Sequence, residues 1–93
     1  MSETVRFHAQ VYGYVQGVSF RYYAFREAVV LAITGYVRNC MDGSVEVVAE
    51  GPRVAADKFL SWLHVGPPAA EVERVDVEWQ KPQGKFTKFE ARV

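Results

Sequence analysis

The stretch Gly13-Tyr14-Val15-Gln16-Gly17-Val18-Ser19-Phe20-Arg21 holds two glycines, no acid, no cysteine and one charge, at its end. Consecutive backbone amides at the mouth of a helix carry positive potential and suit an oxyanion. Gly13 and Gly17 permit tight turns and keep side chains out of such a cradle. The planar fork of an arginine matches phosphate oxygens in pairs. The chemistry suggested is the holding of a phosphoryl group by the amides of Val15, Gln16, Gly17, Val18, Ser19 and Phe20, with Arg21 closing over it.

The elements that must position these residues follow from periodicity. Val5, Phe7, Ala9 and Val11 alternate with Arg6, His8, Gln10 and Tyr12, which predicts a half-buried strand. Phe20–Thr34 is predicted as a helix with Ser19 as its N-cap, its hydroxyl accepting from a first-turn amide, and Gly35 just past its end. Tyr36–Cys40 reads as a short strand, Asp42-Gly43 as a hairpin turn, and Ser44–Glu50 as the returning strand with Val45, Val47 and Ala49 on one face. Gly51-Pro52 starts a second helix whose stripe is Ala56, Phe59, Leu60 and Leu63, and Gly66-Pro67-Pro68 ends it. Glu71–Gln80 alternates through Val72, Val75, Val77 and Trp79 with a change of phase, and Lys85–Val93 supplies a last strand. The order β-α-β-β-α-β with a terminal strand predicts an α+β fold of the ferredoxin-like split βαβ kind. Two helices then pack on one face of a mainly antiparallel five-stranded sheet.

At about 100° per residue Arg21 shares a direction with Phe25, Ala28 and Ala32, whereas Arg26, Glu27 and Thr34 lie opposite. Arg21 therefore starts the stripe expected to face the sheet, but in the first turn, where the sheet ends. Two readings fit that place. The side chain snorkels over the sheet edge or pairs with a carboxylate, or it closes over the loop and grips an anion. A parallel crossover from the first strand to Tyr36–Cys40 brings the end of the second strand beside the same loop. Asn39 lies there in phase with Val37, either as the residue that precedes a hairpin or as a carboxamide facing Arg21.

Composition narrows the alternatives. A chain of 93 residues is expected to form one domain spanning 1–93, and 49% hydrophobic residues suffice for a modest two-layer core and argue against disorder. Eleven basic residues balance eleven acidic ones, so the basic footprint of sequence-independent nucleic-acid binding is missing. The lone Cys40 can form no internal disulfide, which fits a reducing compartment. MSETVRF lacks the basic and apolar regions of a signal peptide, and Ala28–Ile33 is far short of the ~20 residues of a membrane span. A cytoplasmic monomer without membrane or nucleic-acid partners is the expectation.

Other chemistries find less support. His8 and His64 have no partner at a spacing that would make a base or a phosphoenzyme, and with Cys40 they do not make a metal site. A cysteine-phosphatase loop from Cys40 would end in arginine six residues on, where Glu46 stands instead. Cys40 reads as a small packing residue. Tyr22, Tyr23, Phe25 and Tyr36 read as helix–sheet packing, and the basic-aromatic strand motif of an RNA-recognition module is absent. Gly13–Gly17 is not followed by the Gly-Lys-Ser/Thr of a nucleotide loop.

Two stretches together resemble the acylphosphatase family over nearly the whole chain. The signature G-x-V-Q-G-V-x-F-R is met by Gly13, Val15, Gln16, Gly17, Val18, Phe20 and Arg21. A second runs Gly35-Tyr36-Val37-Arg38-Asn39, then Gly43, Val45 and Gly51 at the family's spacing. The resemblance implies a five-stranded ferredoxin-like domain that hydrolyses acyl phosphates to a carboxylate and inorganic phosphate, with no metal or organic cofactor. It also implies that Arg21 binds the phosphate and Asn39 positions the attacking water. Tyr14 departs from the arginine that many members carry, and Cys40 from a threonine. A non-catalytic domain binding a small anion on the same fold is the second reading, since fold alone does not fix function.

Such a reaction asks little of side chains. The leaving group of an acyl phosphate is a carboxylate, which departs without protonation. Phosphoryl transfer needs mainly positioning and charge stabilisation. No carboxylate or histidine stands in either motif, so the water's proton is expected to pass to the substrate's own phosphate oxygen. Both motifs address the phosphoryl end, and no stretch of the sequence marks a pocket for the acyl group.

Overall fold

The structure is a computed structural model that describes residues 3–93. Met1 and Ser2, at the head of the stretch considered for a signal peptide, lie outside the described residues. The elements are β1 (Thr4–Tyr14), α1 (Phe20–Val30), β2 (Thr34–Asn39), β3 (Val45–Pro52), α2 (Arg53–Val65), β4 (Glu71–Gln80) and β5 (Phe89–Arg92). They form one five-stranded sheet in the order β4-β1-β3-β2-β5, antiparallel throughout except where β5 runs parallel to β2. This is the expected ferredoxin-like α+β arrangement. Val5, Phe7, Ala9 and Val11 of β1 are buried with Val45, Val47 and Ala49 of β3, beneath Ala24 and Ala28 of α1 and Phe59 and Leu63 of α2. No helix among the described residues is long and apolar enough to cross a membrane.

Helix α1 stops earlier than its sequence predicts, and the reason is local. The amide of Ile33 donates to the Ala28 carbonyl and that of Ala32 to Val29, while Ala32 adopts φ 57°. These paired bonds form a Schellman motif, here with alanine at the left-handed position where glycine is usual. Gly35, expected as the helix terminator, lies inside β2 instead. The stripe that faces the core is Phe20, Ala24 and Ala28. Arg21 and Phe25 sit on its flank, and Ala32 is exposed beyond the helix end. Ser19 does occupy the N-cap position, but at φ 61° and without the expected side-chain capping bond.

The phase change in β4 also has a local cause. Tyr12 pairs with Arg74 and Gly13 with Val72, so Glu73 is an extra residue on β4, a bulge that reverses the alternation between Val72 and Val75. A Cβ at Gly13 would lie 2.1 Å from the Glu71 carbonyl oxygen. Gly13 therefore serves this close approach of β1 to β4, and it does not shape the loop that follows. The terminal strand is shorter than expected, Phe89–Arg92, because residues 81–88 form a connection tied to the open face of the sheet.

That tie is Glu50. Its buried carboxylate accepts from Arg6 Nη1 at 2.7 Å and from the amides of Gln83 and Gly84 at 3.1 Å each. Arg6 also donates to Gln80 and lies over the Phe86 ring. Burial alone would raise the Glu50 carboxyl, but these donors outweigh it and hold it below the ordinary 4.5. A depressed folded value stabilises the protein above the unfolded value, and this contribution is lost as pH falls through the folded one. Glu50→Gln should lower stability by about 3 kcal/mol near neutrality, since it leaves Arg6 without its buried partner. It should also flatten the acid limb of stability, from the ordinary carboxylate range downward. Urea unfolding across that range checks both, and a variant of wild-type stability with an unchanged acid limb would contradict the tie.

Candidate functional site

Three chain segments arrive at one end of the sheet. Val11 of β1 and Asn39 of β2 both pair with Val45, so the ends of these strands are level on either side of β3. β5 runs parallel to β2, with Ala91 beside Val37 and Arg92 beside Arg38, and so ends there too. The loop leaving β1 and the first turn of α1 cover this end. Together they border an open cavity of about 720 Å³ lined by Val15, Gly17, Ser19, Phe20, Arg21, Tyr22, Phe25, Asn39 and Ala91.

The loop is shaped by two left-handed residues. Gly17 has φ 75° and Ser19 has φ 61°, and a left-handed residue within a loop turns successive amides toward a common side. The first backbone bond of α1 runs from the Tyr23 amide to the Ser19 carbonyl. Among the described residues, the amides of Gln16 through Tyr22 donate to no backbone carbonyl. They remain available at a helix N-terminus, where an anion is the favoured partner.

Among the described residues, Arg21 carries the only formal charge on the cavity wall. Its Nη1 donates to the Arg92 carbonyl at 2.7 Å, which fixes the guanidinium against the end of β5 and leaves the rest of its donor fork for another acceptor. It forms no ion pair among the described residues. The carboxylate-paired reading of Arg21 is thereby set aside. Asn39 is half-buried on the same wall, in phase with the buried Val37 as alternation predicts. Among the described residues no acid lines the cavity, so an anion entering it meets dipoles and one cation.

The side chain of Gln16 carries no assignment from the sequence, where only its amide has a role. Its Nε2 donates to the carbonyls of Cys40 at 2.7 Å and Ser44 at 2.9 Å, clamping the loop to the β2–β3 hairpin just beyond Asn39. Beneath the clamp, Gln10 donates to Ser44 Oγ at 2.6 Å and to Cys40 Sγ at 3.2 Å, and Ser44 Oγ donates to Asp42. Cys40 is thus an acceptor in the hairpin's side-chain network as well as a packing residue. The available signal was the one amide side chain in a loop otherwise of glycine, valine and serine. Val18 turns the other way and packs against the core.

Other residues singled out by pattern stand away from the cavity, and the aromatics depart from the packing expected of them. Tyr14 is exposed and off the cavity wall. His8 pairs with Glu46 at 2.9 Å on the open face of the sheet, and His64 contacts the Leu60 carbonyl at the end of α2. Tyr36 lies against Phe86 and under Arg92 on that open face, so it takes no part in helix–sheet packing. Tyr22 and Phe25 line the cavity, where packing under the helix was expected.

The fold is a ferredoxin-like α+β sheet whose one end presents free loop amides, a tethered arginine and a carboxamide. A family model described as acylphosphatase matches residues 7–91. A protein named acylphosphatase from Anaeromyxobacter dehalogenans is 47% identical, with 99% of each chain covered. Another so named, from Thermococcus kodakarensis, is 49% identical over 86% of this chain and 88% of its own. The crystal structure of acylphosphatase from Bacillus subtilis superposes with a TM-score of 0.92 at 32% identity, covering 96% of this chain and 99% of that one. The chain belongs to the acylphosphatase family.

The clamp yields a prediction. Gln16→Ala removes both donors from the Cys40 and Ser44 carbonyls and should cost about 1–3 kcal/mol of stability. With the loop untied from the hairpin, phosphate should also bind more weakly. Chemical unfolding and a phosphate titration check this, and a variant unchanged in both would show the clamp to be incidental.

Proposed function

We propose that the protein hydrolyses acyl phosphates to a carboxylate and inorganic phosphate, the loop amides and Arg21 binding the phosphoryl group and Asn39 directing the water. The observation that carries this reading is a cavity whose one charge is a guanidinium, bordered by unengaged amides and with Asn39 on the same wall. Family membership and relatives named acylphosphatase over most of their lengths support it.

The physical sequence is short. Amides of Val15–Phe20 and the Arg21 fork hold the equatorial oxygens and stabilise charge that spreads over them in the transition state. The Asn39 carbonyl accepts from a water and fixes its line of approach to phosphorus, which exchanges a bimolecular encounter for a positioned one. The acyl carboxylate leaves as an anion, and the proton of the water passes to a phosphate oxygen of the substrate. Among the described residues no carboxylate or histidine lines the cavity, in keeping with that route. The balanced charge argues against nucleic acid as a partner and the lone Cys40 fits a reducing, cytoplasmic setting, and a monomer acting on a small molecule completes the reading.

Hydrolysis of benzoyl phosphate without added metal tests the reading, and two variants separate the roles. Arg21→Gln should reduce turnover by roughly 10²–10³-fold and weaken inhibition by inorganic phosphate. Asn39→Ala should reduce turnover by a similar order while leaving phosphate inhibition near its wild-type strength. An Asn39 variant that turned over normally but lost phosphate would reverse the assignment. A wild-type protein that bound phosphate and cleaved nothing would favour the anion-binding alternative.

A further inference from the structure

The cavity is larger than the phosphoryl group it is proposed to hold. Phosphate has five heavy atoms and fills the space of roughly three or four waters of ~30 Å³ each, against about 720 Å³ here. The remaining wall is apolar: Phe25, the ring of Tyr22, Val15 and Ala91. Phe25 lies one helical turn beyond Arg21, so the two side chains share a flank of α1.

Phe25 is also the odd member of its kind. Of the six phenylalanines, Phe7, Phe20, Phe59, Phe86 and Phe89 each lie against another aromatic ring. Phe25 has no such partner among the described residues and remains 37% exposed, whereas Phe20, five residues earlier, is 2% exposed. A phenylalanine serving only helix–sheet packing would be covered as Phe20 is. Tyr22 stands beside it with its ring held edge-on to Tyr23 at 5.4 Å and beneath Arg26 at 5.8 Å. Ala91, on the facing strand end, is a small residue of the same wall.

We propose that the Phe25–Tyr22 edge of the cavity is an acyl-group subsite that selects aromatic and bulky apolar acyl phosphates over acetyl-sized ones. This inference rests on the acyl phosphate reading and adds the substrate class to it. With the phosphoryl group at Arg21, a planar acyl group extends along the α1 flank and meets the Phe25 ring, where ring–ring contact and expulsion of water favour it. An acetyl group brings no ring and far less apolar surface to that contact. Because the same contact is made in ground and transition states, its loss appears chiefly in KM.

The test compares kcat/KM for benzoyl phosphate and acetyl phosphate in the wild type and in Phe25→Ala, with Tyr22→Ala as an independent second variant. Taking the change in the ratio of the two substrates cancels their difference in intrinsic reactivity. Phe25→Ala should lower kcat/KM for benzoyl phosphate roughly tenfold, mostly through KM, with a far smaller loss for acetyl phosphate. Tyr22→Ala should move the ratio in the same direction. An unchanged ratio in both variants, whether through equal losses or none, overturns the subsite while leaving the hydrolase reading intact. A wild-type protein that cleaves neither compound overturns the hydrolase reading, and the subsite with it.

Discussion

The hydrogen bond from Arg21 to the Arg92 carbonyl joins the first turn of α1 to the last strand across 71 residues of sequence. It sets a cation at the one place where the ends of β1, β2 and β5 converge. A free guanidinium on a first helical turn would sample solvent and lose much of its value as an anion ligand. Tethered at one nitrogen, it offers the rest of its fork with less entropy to lose. Everything proposed for the site depends on that cation being fixed and otherwise unengaged, with the loop amides held level with it.

The level is set by two different devices. Backbone pairing places Val11 and Asn39 across from the same Val45, so the carboxamide is registered to the loop through the sheet. The Gln16 side chain then ties the loop to the hairpin beyond Asn39 by two carbonyls. Glu50 has a comparable role at the opposite end of β3, fixing the connection that leads into β5. The placement of the proposed site thus comes from ordinary sheet register supplemented by a few part-buried polar contacts.

Much of this was readable from residue patterns, and the failures have physical causes. The period-two alternation of β1, the Asp42-Gly43 turn and the α2 stripe are local signals that the structure follows, although Gly51-Pro52, read as the start of α2, completes β3 and the helix begins at Arg53. The end of α1 was misplaced because an alanine took the left-handed position of the Schellman motif, while Gly35 belonged to the next strand. The phase change in β4 needed its partner, since the bulge at Glu73 exists only in register with Gly13. Arg21, Asn39 and the loop could be proposed from spacing because both motifs are contiguous. The aromatic wall could not, because Phe25 and Ala91 meet only through the fold, and a one-residue shift of the helical stripe turns Phe25 from the core to the cavity.

The most direct test of the central claim is a titration of the isotope-labelled protein with inorganic phosphate, followed by the backbone amide and arginine side-chain resonances. Saturable shifts should concentrate on the amides of Gln16–Phe20 and on the Arg21 guanidinium, and vanish in Arg21→Gln. Shifts centred on the open face of the sheet, around His8 and Arg38, or a titration that survives loss of the guanidinium, would contradict it.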